Sequence, residues 1–173
     1  MKITLLGRLA ACSFILLCSP FAAAQDGRAA GPAVELLLNV GGEVERPLRV
    51  GAADWKKLPR RAVRAKDHDG KEAAFEGVPL IEILQAAGAK VGEDLRGKNL
   101  AAYLLVEAAD GYRVVFALPE LDPAFNDRPI LLADLRDGKP LSAAEGPLRV
   151  IVPGEKRHAR WVRQVIALSV RRP

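Results

Sequence analysis

Residues 146–163 read GPLRVIVPGEKRHARWVR, an apolar segment that passes directly into a basic loop. In the apolar half, Leu148, Val150 and Val152 alternate with other residues, as they do in a strand that buries one face. In the basic half, residues 154–163, four of the ten residues are Lys or Arg. Forked guanidinium groups beside the backbone N–H groups of a glycine-containing loop can hold a phosphate or a carboxylate. The stretch therefore predicts a core strand that leads into an anion-binding loop.

Strand patterns recur on both sides of this stretch. Two pairs of extended segments flank turns built on Asp-Gly, at Asp69-Gly70 and Asp110-Gly111, and each pair predicts a hairpin because glycine accepts a positive φ at little cost. The segments with apolar or alternating character are 34–40, 47–50, 61–66, 71–75, 100–106, 112–118, 130–135, 148–152 and 162–170.

Helical patterns are few and short. Pro79 suits a first helical turn, Gly88 suits a helix end, and between them four apolar residues recur at i, i+3, i+4 and i+7. A briefer turn around Trp55 and Leu58 is closed by Pro59. Since strands outnumber helices and no regular βαβ series is visible, the sequence predicts a strand-rich α+β domain with a mixed sheet and a few short helices.

The first 24 residues have the pattern of a secretory signal. Lys2 and Arg8 form a basic beginning, residues 9–17 are apolar but too few to span a bilayer, and the small residues 22–24 suit cleavage. Cys12 lies in a lipoprotein-like box, but most of the apolar run follows it, so the cleaved form is preferred. We therefore expect a signal peptide at 1–24, a flexible lead at 25–32 and one domain at 33–173, periplasmic or secreted, without a transmembrane segment.

Composition limits the chemistry further. The formal net charge is +5, spread along the chain, which is too mild to indicate nucleic-acid binding. The only cysteines are Cys12 and Cys18, both inside the predicted signal. The exported domain therefore has neither a disulfide nor a thiolate ligand for a metal, and its stability must come from apolar burial and ladder hydrogen bonds.

The order of short motifs along the chain resembles the sulfite-oxidase-type oxidoreductase molybdopterin-binding domain family. The motifs span nearly all of the predicted domain and run, in one-letter code, VGGEVERPL at 40–48, DW at 54–55 with LP at 58–59, GVPL at 77–80, DGY at 110–112, DGKPL at 137–141, GPLRVIVP at 146–153 and WV at 161–162. The resemblance implies the sulfite oxidase (SUOX) fold and makes molybdopterin the cofactor to consider.

The resemblance also implies where a cofactor would sit. Enzymes of this family bind molybdenum through a cysteine just before the Gly-Val-Pro-Leu helix, whereas residues 65–69 here offer no sulfur. The basic loop of the resembled enzymes helps to hold the pterin phosphate. Carried over to this chain, with one arginine from the preceding strand, it makes the candidate ligand-binding residues Arg149, Lys156, Arg157, His158 and Arg160. The simpler interpretation is a solvated basic loop with Trp161 as a core plug.

The predicted secretory signal gives a second, independent argument against bound molybdopterin. A protein loaded with molybdopterin in the cytoplasm must cross the membrane folded, which calls for paired arginines, and here Lys2 and Arg8 stand apart. Because molybdenum prefers thiolate to the imidazole, amine and carboxylate groups present, we predict no metal and no bound cofactor.

Other candidate sites are weaker. Asp67-His68-Asp69 contains metal-binding side chains, but three consecutive residues in a turn cannot all face one ion. Asp110 and Tyr112 could form an acid–base pair, although an aspartate before glycine usually bonds its own backbone. No catalytic residue is identified.

Three functions remain open. The first is a non-catalytic binding domain for a small anionic or pterin-like ligand, in a pocket lined by Arg149, His158 and Arg160. The second is an active molybdopterin-dependent oxidoreductase with an atypical metal ligand. The third is an interaction module that docks to another envelope protein through a surface patch, and an exposed apolar patch near the Trp55 turn would support it. The missing cysteine favours binding over catalysis.

Overall fold

Two layers of strands, one mixed and one antiparallel, form the core of the part of the chain that the computed structural model describes, residues 36–173. The predicted signal and lead lie outside these residues. The first sheet has the strand order β2-β1-β10-β5-β6 and the second has the order β3-β4-β7-β8, with β9 also paired to β7. The strands are β1 (Leu36–Gly42), β2 (Leu48–Gly51), β3 (Arg61–Lys66), β4 (Glu72–Pro79), β5 (Tyr103–Ala108), β6 (Arg113–Ala117), β7 (Leu131–Arg136), β8 (Lys139–Pro140), β9 (Arg149–Ile151) and β10 (Val165–Arg171).

The first sheet combines two pairing directions. β1 runs parallel to β10, while β1–β2, β10–β5 and β5–β6 are antiparallel. The chain leaves β1 through Gly42, which has a φ of +83°. A Cβ atom at this position would clash with the carbonyl oxygen of Val170. Only glycine satisfies both the positive φ and this close approach.

The second sheet is antiparallel and contains the hairpin β3–β4, in which Lys66 pairs with Glu72 across the turn. The chain passes from β9 in the second sheet to β10 in the first through residues 152–164, which include the basic loop. This crossing places the loop where the ends of both sheets meet, and the tips of two hairpins line cavities with it.

The helices are short, as predicted. They are α1 (Ala52–Trp55), α2 (Leu80–Ala86) and α3 (Leu118–Leu121), with 3₁₀ turns at Gly92–Asp94, Gly97–Ala101 and His158–Arg160. α2 starts one residue after Pro79 and is followed by Gly88 at φ +75°. Within the described residues no helix has the length and apolar character needed to span a bilayer.

A single cluster of buried apolar side chains draws from both sheets and from α2. It includes Trp55, which is only 3% exposed. The burial of this indole counts against a docking surface at the Trp55 turn, the patch that would have supported an interaction module. The strand-rich α+β class is confirmed.

Candidate functional site

A groove lies between the β3–β4 hairpin and the basic loop. It consists of a cavity of about 600 Å³ and one of about 470 Å³, which share His68, His158 and Trp161 in their walls. The larger cavity is also lined by Arg64, Lys66, Glu72 and Lys156, and the smaller one by Asp110, Tyr112 and Arg163. We refer to the two cavities together as the groove.

Two of the five predicted ligand-binding residues line the groove. Lys156 is exposed and borders the larger cavity, and His158 borders both cavities. Arg157 is exposed but lines neither cavity of the groove.

Arg149 does not face the groove, which corrects the expectation that it lines a ligand pocket. Its side chain is fully buried, Nη2 lies 2.8 Å from Asp67 Oδ1, and Nη1 bonds Glu145. Its guanidinium lies 5.7 Å from the ring centre of Phe75 and 5.2 Å from that of Trp161. A buried arginine must be paired to offset its desolvation, and these two carboxylates provide that pairing. Arg149 therefore stabilises the residues of the groove without lining it.

Arg160 lies elsewhere as well. Its guanidinium bonds Glu120 at 2.9 Å and also bonds Glu155, and it lies 4.5 Å from the ring centre of Phe116. It lines a separate cavity of about 400 Å³ together with both carboxylates. The predicted pocket of Arg149, His158 and Arg160 is therefore not formed, since the two arginines are engaged in different ion pairs.

The hairpin tip is fixed by Asp67. This carboxylate is 4% exposed, bonds Arg149, lies 2.8 Å from Arg136 Nη1, and accepts a hydrogen bond from the His68 backbone N–H. Burial by itself raises the pKa of Asp67, but the hydrogen bonds from Arg149 and His68 and the charges of Arg149 and Arg136 outweigh it and lower the pKa from 3.8 to about 2. Asp67 is therefore ionised at neutral pH, and its charge is paired with those of Arg149 and Arg136.

The chain's only two histidines meet at the centre of the groove. The ring centres of His68 and His158 are 4.5 Å apart with an interplanar angle of 47°, and His158 also packs edge-on against Trp161 at 4.4 Å. His158 Nε2 lies 2.8 Å from the Lys66 carbonyl oxygen. Partial burial and the nearby charges of His158, Arg149 and Arg163 lower the pKa of His68, so this ring is mainly neutral at pH 7.

Sequence reasoning missed several groove residues. Arg64 and Lys66 stand two apart in β3 and therefore share a face, which is a signal that the sequence contained. The closeness of His68 and His158 had no local signal, because the two residues lie 90 positions apart and only the packing of the hairpin against the loop brings them together.

The described residues thus form a strand-rich α+β domain of one mixed and one antiparallel sheet, with a basic groove beside the loop that connects them. The model of the oxidoreductase molybdopterin-binding domain family matches residues 32–172, and the chain belongs to this family. Its structure is similar to the crystal structure of the sulfane dehydrogenase SoxCD from Paracoccus pantotrophus, with a TM-score of 0.62 and 22% sequence identity. The match covers 79% of this chain and 38% of that one, and it places the fold in the SUOX class. A search of the curated proteins gave no match.

The groove does not fit a thiolate-bound molybdenum centre. The tip of β3–β4 presents Lys66, Asp67 and His68, and no cysteine occurs after Cys18. The family resemblance implies a cysteine thiolate as the molybdenum ligand, and neither a lysine ammonium nor a paired aspartate replaces that soft ligand. Among residues 36–173, moreover, no group of three or more His, Cys, Asp or Glu side chains is arranged to hold a metal ion. The cationic wall suits an anion instead.

Proposed function

We propose that this chain is an exported, non-catalytic binding domain that holds a small anionic or pterin-like ligand in the groove. The observation that carries the proposal is a set of three exposed cations on the wall of the larger cavity, Arg64, Lys66 and Lys156. None of them forms an ion pair within residues 36–173, unlike Arg149 and Arg160. Their donors are available to a ligand.

The charged side chains that line the larger cavity, apart from its two histidines, suit an anion. Asp67 and Glu155 also line it, but both are neutralised by arginines. Glu72 is the one lining carboxylate of the larger cavity without an ion pair among the described residues, whereas three cations line the same cavity. Charge-assisted hydrogen bonds to phosphate or carboxylate are the strongest that such a wall can make.

The groove is also held in place before a ligand arrives. The ion pair between Asp67 and Arg149 joins the hairpin tip to β9, and the backbone of His68 is bonded to the same aspartate. A wall fixed in this way loses little conformational entropy on binding. The volume of about 600 Å³ is in the range of small-molecule sites.

Export is part of the proposal, and its support is the signal pattern of residues 1–24. The mature protein isolated from the periplasm is expected to begin near Gln25, which its intact mass would establish. A mass that retains residues 1–24 would contradict export with cleavage.

Calorimetric titration of the mature protein tests the binding function, with inorganic pyrophosphate and pterin-6-carboxylate as probes. Replacing Arg64, Lys66 and Lys156 with glutamine is expected to weaken binding roughly tenfold or more. The matched control replaces Arg96, Lys90 and Lys98, three exposed cations outside the groove, and should keep the affinity. Equal losses in both variants, or no binding of either probe to the parent protein, would overturn the proposal.

Elemental analysis separates this function from redox catalysis. The mature protein is expected to contain no stoichiometric molybdenum, because the groove lacks the thiolate. One molybdenum and one pterin per chain would instead establish an oxidoreductase with an atypical ligand.

A further inference from the structure

We infer that His68 and His158 form a two-imidazole site for a late first-row divalent cation, with Cu²⁺ bound most tightly. The sequence predicts no metal, because residues 67–69 cannot converge on one ion. The structure supplies a second imidazole from the basic loop, which that prediction did not include.

The spacing of the rings suits a shared metal. With a metal–nitrogen distance of about 2 Å and an angle near 90–110°, two imidazoles on one ion have ring centres roughly 4.5–5 Å apart. The ring centres of His68 and His158 are 4.5 Å apart. Imidazole is a ligand that Cu²⁺, Ni²⁺ and Zn²⁺ share, and the Irving–Williams order places Cu²⁺ first.

The hydrogen bond of His158 leaves one nitrogen free for coordination. The Lys66 carbonyl oxygen can only accept, so Nε2 of His158 carries the proton in the neutral ring and Nδ1 keeps its lone pair. A ring N–H bonded to a backbone carbonyl is the arrangement that orients histidine ligands in metal sites. Trp161 packs edge-on against the same ring and restricts its rotation.

The surroundings of the two histidines determine how tightly a metal binds and which further ligands it can take. The groove leaves the remaining coordination positions open to water or to an anion, because both cavities adjoin the pair. Lys66, Lys156 and Arg163 add positive charge nearby, so the site is weaker than a three-ligand site and favours an anionic co-ligand. The charge of Arg149 is balanced by Asp67 and Glu145.

The test is a Cu²⁺ titration of the mature protein prepared without a polyhistidine tag. We expect one Cu²⁺ per chain, with nitrogen couplings from two imidazoles in the electron paramagnetic resonance spectrum. Each of His68→Gln and His158→Gln should lower the affinity roughly tenfold or more. Glutamine at 158 retains an N–H that can bond the Lys66 carbonyl, so a folding defect is not the expected cause of the loss.

Two controls make the result decisive. Circular dichroism and the melting temperature of each variant report the fold, and ¹⁵N shifts of both rings on addition of diamagnetic Zn²⁺ report ligation in the parent protein. Coupling from one ring only, or full affinity in either single variant, would overturn the inference. The variant that replaces Arg64, Lys66 and Lys156 should still bind Cu²⁺, so failure of the anion proposal and failure of this one are distinguishable.

Discussion

The two hairpin tips at the groove use the same local chemistry but have opposite environments. In β3–β4, Asp69 accepts a hydrogen bond from the Lys71 N–H and Gly70 has φ +75°. In β5–β6, Asp110 accepts one from the Tyr112 N–H and Gly111 has φ +85°. Each aspartate–glycine pair therefore closes its turn by the same backbone geometry.

The tips differ in what ties them to the rest of the domain. The first has an additional aspartate, Asp67, which is buried and paired with Arg149 and Arg136. At the second, the ion pair Arg113–Glu107 is exposed, and the link to the basic loop is a neutral hydrogen bond from the Tyr112 hydroxyl to the Ala159 carbonyl oxygen. We expect the first tip to be rigid and costly to disturb, and the second to be tolerant.

The largest expected difference comes from removing one ion-paired arginine beside each tip, Arg149 for the first and Arg113 for the second. Arg149→Met should lower the free energy of unfolding by about 3–5 kcal/mol, because it leaves Asp67 and Glu145 partly unpaired inside the protein. The measurement is urea denaturation followed by fluorescence. Arg113→Met is the matched control and should leave the stability nearly unchanged, since its ion pair is in water. Similar losses in the two variants would remove the contrast between the tips.

The stability of the protein towards acid should depend on the Asp67–Arg149 ion pair. The pKa of Asp67 is about 2 in the folded protein and near 3.8 when unfolded, so the unfolded state takes up the proton first as the pH falls. The stabilisation, on the order of 2 kcal/mol, is therefore present above about pH 4 and is lost as the pH approaches 2. Asp67→Asn should be less stable than the parent protein at pH 7, and the gap should narrow between pH 4 and 2. A gap that is constant with pH would contradict the lowered pKa of Asp67.

The same contrast explains what the sequence could and could not predict. Both turns followed from Asp-Gly between extended segments, because the signal is local and depends on the conformational freedom of glycine. The partner of Asp67 lies 82 positions away in β9, and nothing in the turn distinguishes a buried aspartate from a solvated one. Arg149 was correctly placed on a strand, but its side chain was expected to face a ligand.

The groove was predictable only in part for a related reason. The family resemblance, together with the basic composition of the loop, pointed to Lys156 and His158, whereas the opposite wall comes from a hairpin in another part of the chain. Arg160 has the same charge and loop as Lys156, yet Glu120 lies within 2.9 Å and engages it. Which cations remain free depends on long-range packing, which sequence spacing does not encode.

The turn glycines should behave alike at the two tips, which sharpens the comparison. A Cβ at Gly70 or Gly111 would meet no heavy atom within 4 Å, so the cost of alanine at either position is the positive φ alone. We expect Gly70→Ala and Gly111→Ala each to lower the free energy of unfolding by about 1–2 kcal/mol, measured by urea denaturation. If the two losses of unfolding free energy differ by more than the width of this range, the two turns are not equivalent. The buried Asp67–Arg149 pair would then influence the turn itself.

The smallest expected effect belongs to the tether of the second tip. Tyr112→Phe removes the hydroxyl that bonds the Ala159 carbonyl oxygen at 2.9 Å, but the side chain is half exposed and water can replace the donor. The loss should be about 0.5 kcal/mol in urea denaturation, with the fold unchanged. Because Tyr112 borders the smaller cavity, binding of pyrophosphate in the larger cavity should be unaffected. A loss comparable to that of Arg149→Met would mean that both tips are anchored to the rest of the domain with similar strength, and the distinction between a rigid and a tolerant tip would fail.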